Sequence, residues 1–162
     1  MGETHLPVPK EIRDLFLDLL GREVTLNPEK PYAPGPMEPA TIATYVDDYL
    51  RPSAVIVADL SFSAYAGAAI GLVPPAGAET AIEEETLNDT ISENFYEVLN
   101  IAASLFNVSD ADHMKLQSVR PAVKGGMDIN DRLLSFTLGR REDLSVDIAG
   151  YGQGRLSFIL LR

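Results

Sequence analysis

A chain of 162 residues is long enough for one domain with a sizeable core, or for two small, similar halves fused around one core. Its formal net charge of -11 argues against nucleic acid and against anionic membrane surfaces as partners, because binding would oppose phosphate repulsion instead of releasing counterions. The absence of cysteine removes disulfides and thiolate metal sites and is compatible with a reducing cytoplasm; the opening MGETHLPVPKEI has no basic start followed by an apolar run, so no signal peptide is expected, and no uninterrupted apolar stretch reaches about 18 residues, so no transmembrane helix is expected.

Pro7 to Gly21 reads as the first helix. Pro9 suits its first turn, Glu11 and Asp14 lie near the positive end of the dipole, and Gly21 follows as a natural stop. Ile12, Leu15, Phe16, Leu19 and Leu20 form its apolar stripe. Arg22 to Leu26 predicts a short strand. Asn27 to Pro39 holds prolines at 28, 31, 34, 36 and 39, so it is a loop that no helix can cross. Thr41 to Tyr49 alternates weakly, and Ser53 to Leu60 is a dense apolar run whose Val and Ile favour a buried strand. Ser61 to Val73 reads as a second strand, hairpinned to the one before it. Its small residues Ala64, Gly67, Ala68 and Gly71 would let another element pack closely. Pro74 and Pro75 punctuate, and Ala78 to Glu85 predicts a short acidic helix with Asn88 or Asp89 capping the next one.

That next helix, Leu87 to Asn107, carries two separately specified faces. Leu87, Ile91, Phe95, Val98, Ala102 and Leu105 recur at spacings of four or three, the period of one buried stripe. Asp89, Glu93, Glu97, Asn100 and Ser104 step the same way on the opposite side, with no cation anywhere between Leu87 and Asn107. A face needed only for solubility would more often alternate Glu with Lys. Beyond it, His113 to Val119 predicts a strand, Pro121 with Gly125 and Gly126 a turn-rich connection, and Asp131 to Gly139, Leu144 to Ala149 and Arg155 to Leu161 three further strands. GYGQG between the last two reads as a hairpin loop. The order helix, strands, helix, strands occurs twice, with a join near Pro74.

The pair Glu97 and Asn100 in mid-helix, followed by Pro121, resembles the signature of the CheC, CheX and FliY family, which dephosphorylates chemotaxis response regulators. That signature runs Asp or Ser, three residues, Glu, two residues, Asn, and then a Pro beginning a downstream strand. Here Glu93 holds the leading position, Ser104 the small-residue position four after the Asn, and twenty residues separate Asn100 from Pro121 where the family has about two more. The resemblance covers most of the chain from about Lys10 onward. It implies an α/β (α+β) fold in a single domain over 1–162, pseudo-duplicated with halves of about 8–73 and 76–162, whose largely antiparallel sheet carries two long helices on one face. The first helix has only Glu11-x-x-Asp14, which lacks the amide, so one site per chain is expected, as in CheX.

The resemblance also implies the chemistry. Hydrolysis of an aspartyl phosphate needs a water held in line with the bond to phosphorus and little covalent work from the protein. A carboxamide can hold that water without adding negative charge, which assigns the task to Asn100. Glu97 would pair with a cation of the partner. Glu93, Tyr96 and Ser104 are expected at the same contact. The partner would be a CheY-like receiver domain carrying its own Mg2+, so this chain needs no metal or cofactor of its own, and a homodimer is implied. Two other readings stay open: a non-catalytic interaction module on the same fold, or a small-molecule site in the gap beside Gly67 to Gly71. His5 and His113 have no ligand spacing, and Ser61 and Ser63 lack the context of a nucleophile.

Overall fold

The computed structural model describes residues 3–162. Along the chain it contains α1 (Pro9–Leu20), β1 (Val24–Pro28), β2 (Ala40–Val46), β3 (Pro52–Asp59), α2 (Leu60–Ile70), α3 (Pro75–Glu84), α4 (Asp89–Ala102), a 3-10 turn (Ala103–Leu105), β4 (Lys115–Arg120), α5 (Ile129–Ser135), β5 (Arg141–Ile148) and β6 (Gly152–Leu160). The six strands form one sheet in the order β1-β5-β6-β3-β2-β4, antiparallel at every pairing. Read from either edge, the order is the same under exchange of β1-β2-β3 for β4-β5-β6. Each triplet forms a hairpin with its last two strands and lends its first strand to the other triplet's hairpin.

Most of the sheet's side chains on one face enter a single core with α1, α2, α3 and α4. Ile56 of β3, Val146 of β5 and Phe158 of β6 stand under Phe16 of α1, Phe62 of α2 and Phe95 of α4 within that cluster. Phe62 meets both flanking helices edge-on, at 5.5 Å from Phe16 and 5.9 Å from Phe95. The opposite face buries a smaller group, Ile42, Val55, Val57 and Ile159, beneath Tyr32 of the proline-rich loop and Met127 and Leu134 around α5. Burial on both faces explains why β3 is an unbroken apolar run.

Two strands expected from the sequence are helices. The stretch from Ser61 to Val73 forms α2 and not a hairpin with β3, which instead pairs with β2 and β6. Asp59 starts the helix by accepting the Phe62 amide at 2.8 Å, and no Val, Ile or Thr between Leu60 and Ala69 opposes helical geometry. The small residues do admit a close neighbour, but the neighbour is α4. A Cβ on Gly67 would lie 2.6 Å from the Ile91 carbonyl oxygen, so only glycine permits this approach. The proposed small-molecule gap is filled by Ile91, Asn94 and Phe95 of that helix. Likewise, Asp131 to Gly139 is not a strand. α5 begins at a reciprocal cap in which Asp128 accepts the Asp131 amide at 2.8 Å and Asp131 accepts the Asp128 amide at 3.2 Å.

The other elements lie where the sequence places them, within a residue or two at most ends. The β5–β6 hairpin turns through Ala149 to Tyr151, with Gly150 at φ 84, a conformation that favours glycine. Among the described residues, no helix is long and apolar enough to cross a membrane.

Candidate functional site

The helix that presents the polar line is α4, and its packing accounts for its orientation. Asn88 caps it by accepting the Ile91 amide at 2.9 Å. Ile91, Phe95, Val98 and Ala102 are buried, which confirms the stripe read from their spacing. Asn94 donates to the Gly67 carbonyl at 2.9 Å and locks α4 to α2. At the other end the helix tightens, so that Ala103 bonds to the Asn100 carbonyl, and the buried Tyr45 hydroxyl donates to the Leu99 carbonyl. Asn107 then brackets Met114, accepting its amide at 2.7 Å and donating to its carbonyl at 2.9 Å, and so guides the chain into β4. Tyr45→Phe is expected to lower stability by about 1–2 kcal/mol, because it strands a buried carbonyl at the end of α4, and urea denaturation measures the loss.

With α4 held in this way, Asp89, Glu93, Glu97, Asn100 and Ser104 all face solvent, and Tyr96 is half-exposed beside them. Among the described residues, the side chains of Glu93, Glu97 and Asn100 make no hydrogen bond or ion pair. Nothing in the chain itself uses them. Three carboxylates and one carboxamide along one exposed helix form a surface suited to a cationic partner, with a neutral amide among the charges that can both accept from and donate to a bound water. There is no group of three or more His, Cys, Asp or Glu among the described residues that could hold a metal ion.

Pro121 lies just beyond β4, where it and Val119 face the first half of α4 across a groove of about 210 Å³ lined also by Thr41, Leu87, Ser92, Phe95 and Tyr96. The structure therefore brings Pro121 and Tyr96 to one place. Glu93, Glu97, Asn100 and Ser104 do not line this groove; they run along the helix beside it. Thr41 and Ser92 were not singled out from the sequence. For Ser92 a signal existed, since it precedes Tyr96 by one helical turn.

No family model and no curated protein matches the chain. Among solved structures, the FliM middle domain from Vibrio alginolyticus is similar with a TM-score of 0.57 at 8% identity, over 92% of this chain and 86% of that one. FliM in a FliM–SpeE complex from H. pylori gives 0.56 at 7% identity, over 92% and 79%. CheX in a CheX–CheY–BeF3–Mg complex from Borrelia burgdorferi gives 0.50 at 8% identity, over 92% of each chain. The helices stacked on one face of this six-stranded antiparallel sheet, with β3 and β6 at its centre, are thus the CheC-like fold that CheX and the FliM middle domain share.

Proposed function

We propose that this chain docks through α4 on the phosphorylated receiver domain of a response regulator and promotes hydrolysis of its aspartyl phosphate. The observation that carries the proposal is the free, solvent-facing pair Glu97 and Asn100, held on a rigid helix and used for nothing within the chain. On this reading Asn100 holds a water in line with the acyl phosphate. The water oxygen bonds to phosphorus, the bond from phosphorus to the aspartyl oxygen breaks, and the carboxylate leaves with its electron pair. Glu97 pairs with a cation at the rim of the partner's site, flanked by Glu93, Tyr96 and Ser104. Mg2+ belongs to the receiver, and the structural relative CheX was crystallised with CheY, BeF3 and Mg. Function in the cytoplasm, in a chemotaxis pathway and as a homodimer belongs to the same proposal.

The test is phosphate release from phosphorylated receiver domains. Asn100→Ala is expected to reduce the acceleration by about a hundredfold while leaving the fold intact, because an exposed side chain without partners carries little stability. Glu97→Ala is expected to weaken docking more than it slows the bound complex. An Asn100→Ala protein as active as the parent would sink the mechanism.

A second reading is a docking module without catalysis, favoured by the longer acid Glu93 at the leading position of the signature and by the shorter stretch of twenty residues between Asn100 and Pro121. It is distinguished by the same assay, since receiver binding that depends on Glu97 but releases no phosphate would support it.

A further inference from the structure

Between the first half of α4 and the end of β4 runs the groove of about 210 Å³ that Pro121 borders. Ser92 and Tyr96 form one wall, and Asn100 continues the same line of residues four apart, one turn or about 6 Å further along the axis. Val119 and Pro121 form the other wall, and the buried Thr41 and Phe95 form the floor. The Ser63 hydroxyl donates to the Asp59 carbonyl, so Thr41 must donate its own proton to Ser63, at 2.8 Å, and the floor has no proton left for a ligand. The groove is smaller than the roughly 300–1,000 Å³ of pockets that enclose a drug-sized ligand, and it suits one large apolar side chain. A pocket walled by an aromatic ring is where a protein interface concentrates its energy.

The charge beside the groove indicates what fills it. Asp89, Glu93 and Glu97 run along α4 next to the Ser92 and Tyr96 wall, and none of them makes an ion pair among the described residues. Arg120 and Lys124, which flank Pro121 in the sequence, do not offset them. Arg120 is already paired with Asp128 and Asp131 at 3.4 and 3.2 Å, and Lys124 with Glu85 at 2.9 Å. The approach is therefore acidic, and a segment seated there gains from Lys or Arg beside its apolar residue. A second copy of the chain meeting it through the same face would set two unpaired acidic lines against each other.

We infer that this groove is the socket for one apolar side chain, Leu, Met or Phe in kind, carried by a surface segment of the docking partner and flanked there by Lys or Arg. The inference rests on the proposal that a receiver domain docks through α4. It gives Ser92, Tyr96, Val119 and Pro121 two tasks: choosing the partner, and fixing the register in which Asn100 meets the phosphoryl group. Tyr96 is here a positioning residue. With the anchor seated beside it, one turn from Asn100, the partner cannot slide along α4.

The test is binding of receiver domains activated with beryllium fluoride and Mg2+, measured by titration calorimetry against the full chain and three variants checked for folding by circular dichroism. Ser92→Phe fills the groove, Tyr96→Ala removes its wall, and Tyr96→Phe keeps the ring. The first two are expected to weaken binding about tenfold or more, and the third to match the parent within about twofold. Should Ser92→Phe unfold, the Tyr96 pair decides alone. With p-benzoylphenylalanine in place of Tyr96, photocrosslinking is expected to capture an apolar residue of the receiver that has Lys or Arg beside it. Parent-like binding by the folded Ser92→Phe or by Tyr96→Ala, or capture of an acidic segment, would overturn the socket. If Glu97→Ala still weakened binding in that case, docking through α4 would stand without it. A parent chain that binds no activated receiver would overturn both. A dimer in sedimentation that Ser92→Phe abolishes would give the groove to a second copy and overturn the socket too.

Discussion

Replacing Arg141 with Met is expected to destabilise the fold by about 3–5 kcal/mol, the cost of leaving a buried carboxylate without its cation. Arg141 and Asp143 alternate along β5 with side chains only 6% and 7% exposed, and the guanidinium grips both carboxylate oxygens, at 2.9 and 2.8 Å. The same guanidinium donates to the carbonyls of Ser135, Thr137 and Tyr32. Asp143 in turn accepts from the Tyr32 amide and the Ser157 hydroxyl. One ion pair therefore ties the proline-rich loop and the end of α5 to the back of the sheet. Urea denaturation gives the loss directly. Adding Asp143→Asn to Arg141→Met should recover part of it, because the double variant no longer buries an uncompensated charge.

The same pair sets an acid limit. Burial would raise the Asp143 carboxyl, but hydrogen bonds from Arg141, Ser157 and the Tyr32 amide, with the Arg141 charge, hold it below its ordinary value of 3.8. A carboxyl depressed on folding contributes stability above its unfolded value and loses it as pH falls through the lower folded value. The wild-type chain should therefore lose stability steeply below about pH 4, and the Arg141→Met, Asp143→Asn variant less steeply.

Gly67→Val is expected to destabilise by about 3 kcal/mol through overpacking, and Gly67→Ala to destabilise too, although alanine favours a helix by about 1 kcal/mol. The added Cβ lies 2.6 Å from a backbone oxygen and 2.9 Å from Ile91 Cγ2, and a backbone cannot rotate away as a side chain can. α2 and α4 must separate, which also loosens the Asn94 bond to the Gly67 carbonyl. Gly35→Ala is the control: a Cβ there meets nothing within 4 Å, so it should be neutral or mildly stabilising through the unfolded chain. Thermal melting separates the two outcomes.

The helix α4 was legible because its two faces differ: one buries a stripe and the other meets water, and a period shows only where such a contrast exists. α2 has no such contrast. Phe62, Ser63, Tyr65 and Ala68 are all buried although they point in different directions, and an apolar run without period cannot be told from a buried strand. α5 misled for the opposite reason. It exposes Leu133 and Phe136 and buries Ser135, while apolar Leu134, Phe136 and Leu138 alternate in sequence with polar Ser135 and Thr137 as the residues of a strand do. For the site, period alone places Glu97 and Asn100 in solvent. The meeting of Pro121 with Tyr96 depends on β4 reaching across to β2, a pairing that nothing local in the sequence announces.

The exchange of first strands between the two triplets has a consequence for synthesis. When residues up to Val73 have left the ribosome, β1 has no ladder to join, since its partner β5 begins at Arg141, and the apolar edge of β3 waits for β6 until residues from Gly152 on have emerged. Through most of its translation the nascent chain thus displays an open, sticky strand edge. Stalled or shortened products that stop before Gly152 should aggregate or be held by chaperones, whereas adding the missing β6 as a separate peptide should rescue them by strand addition.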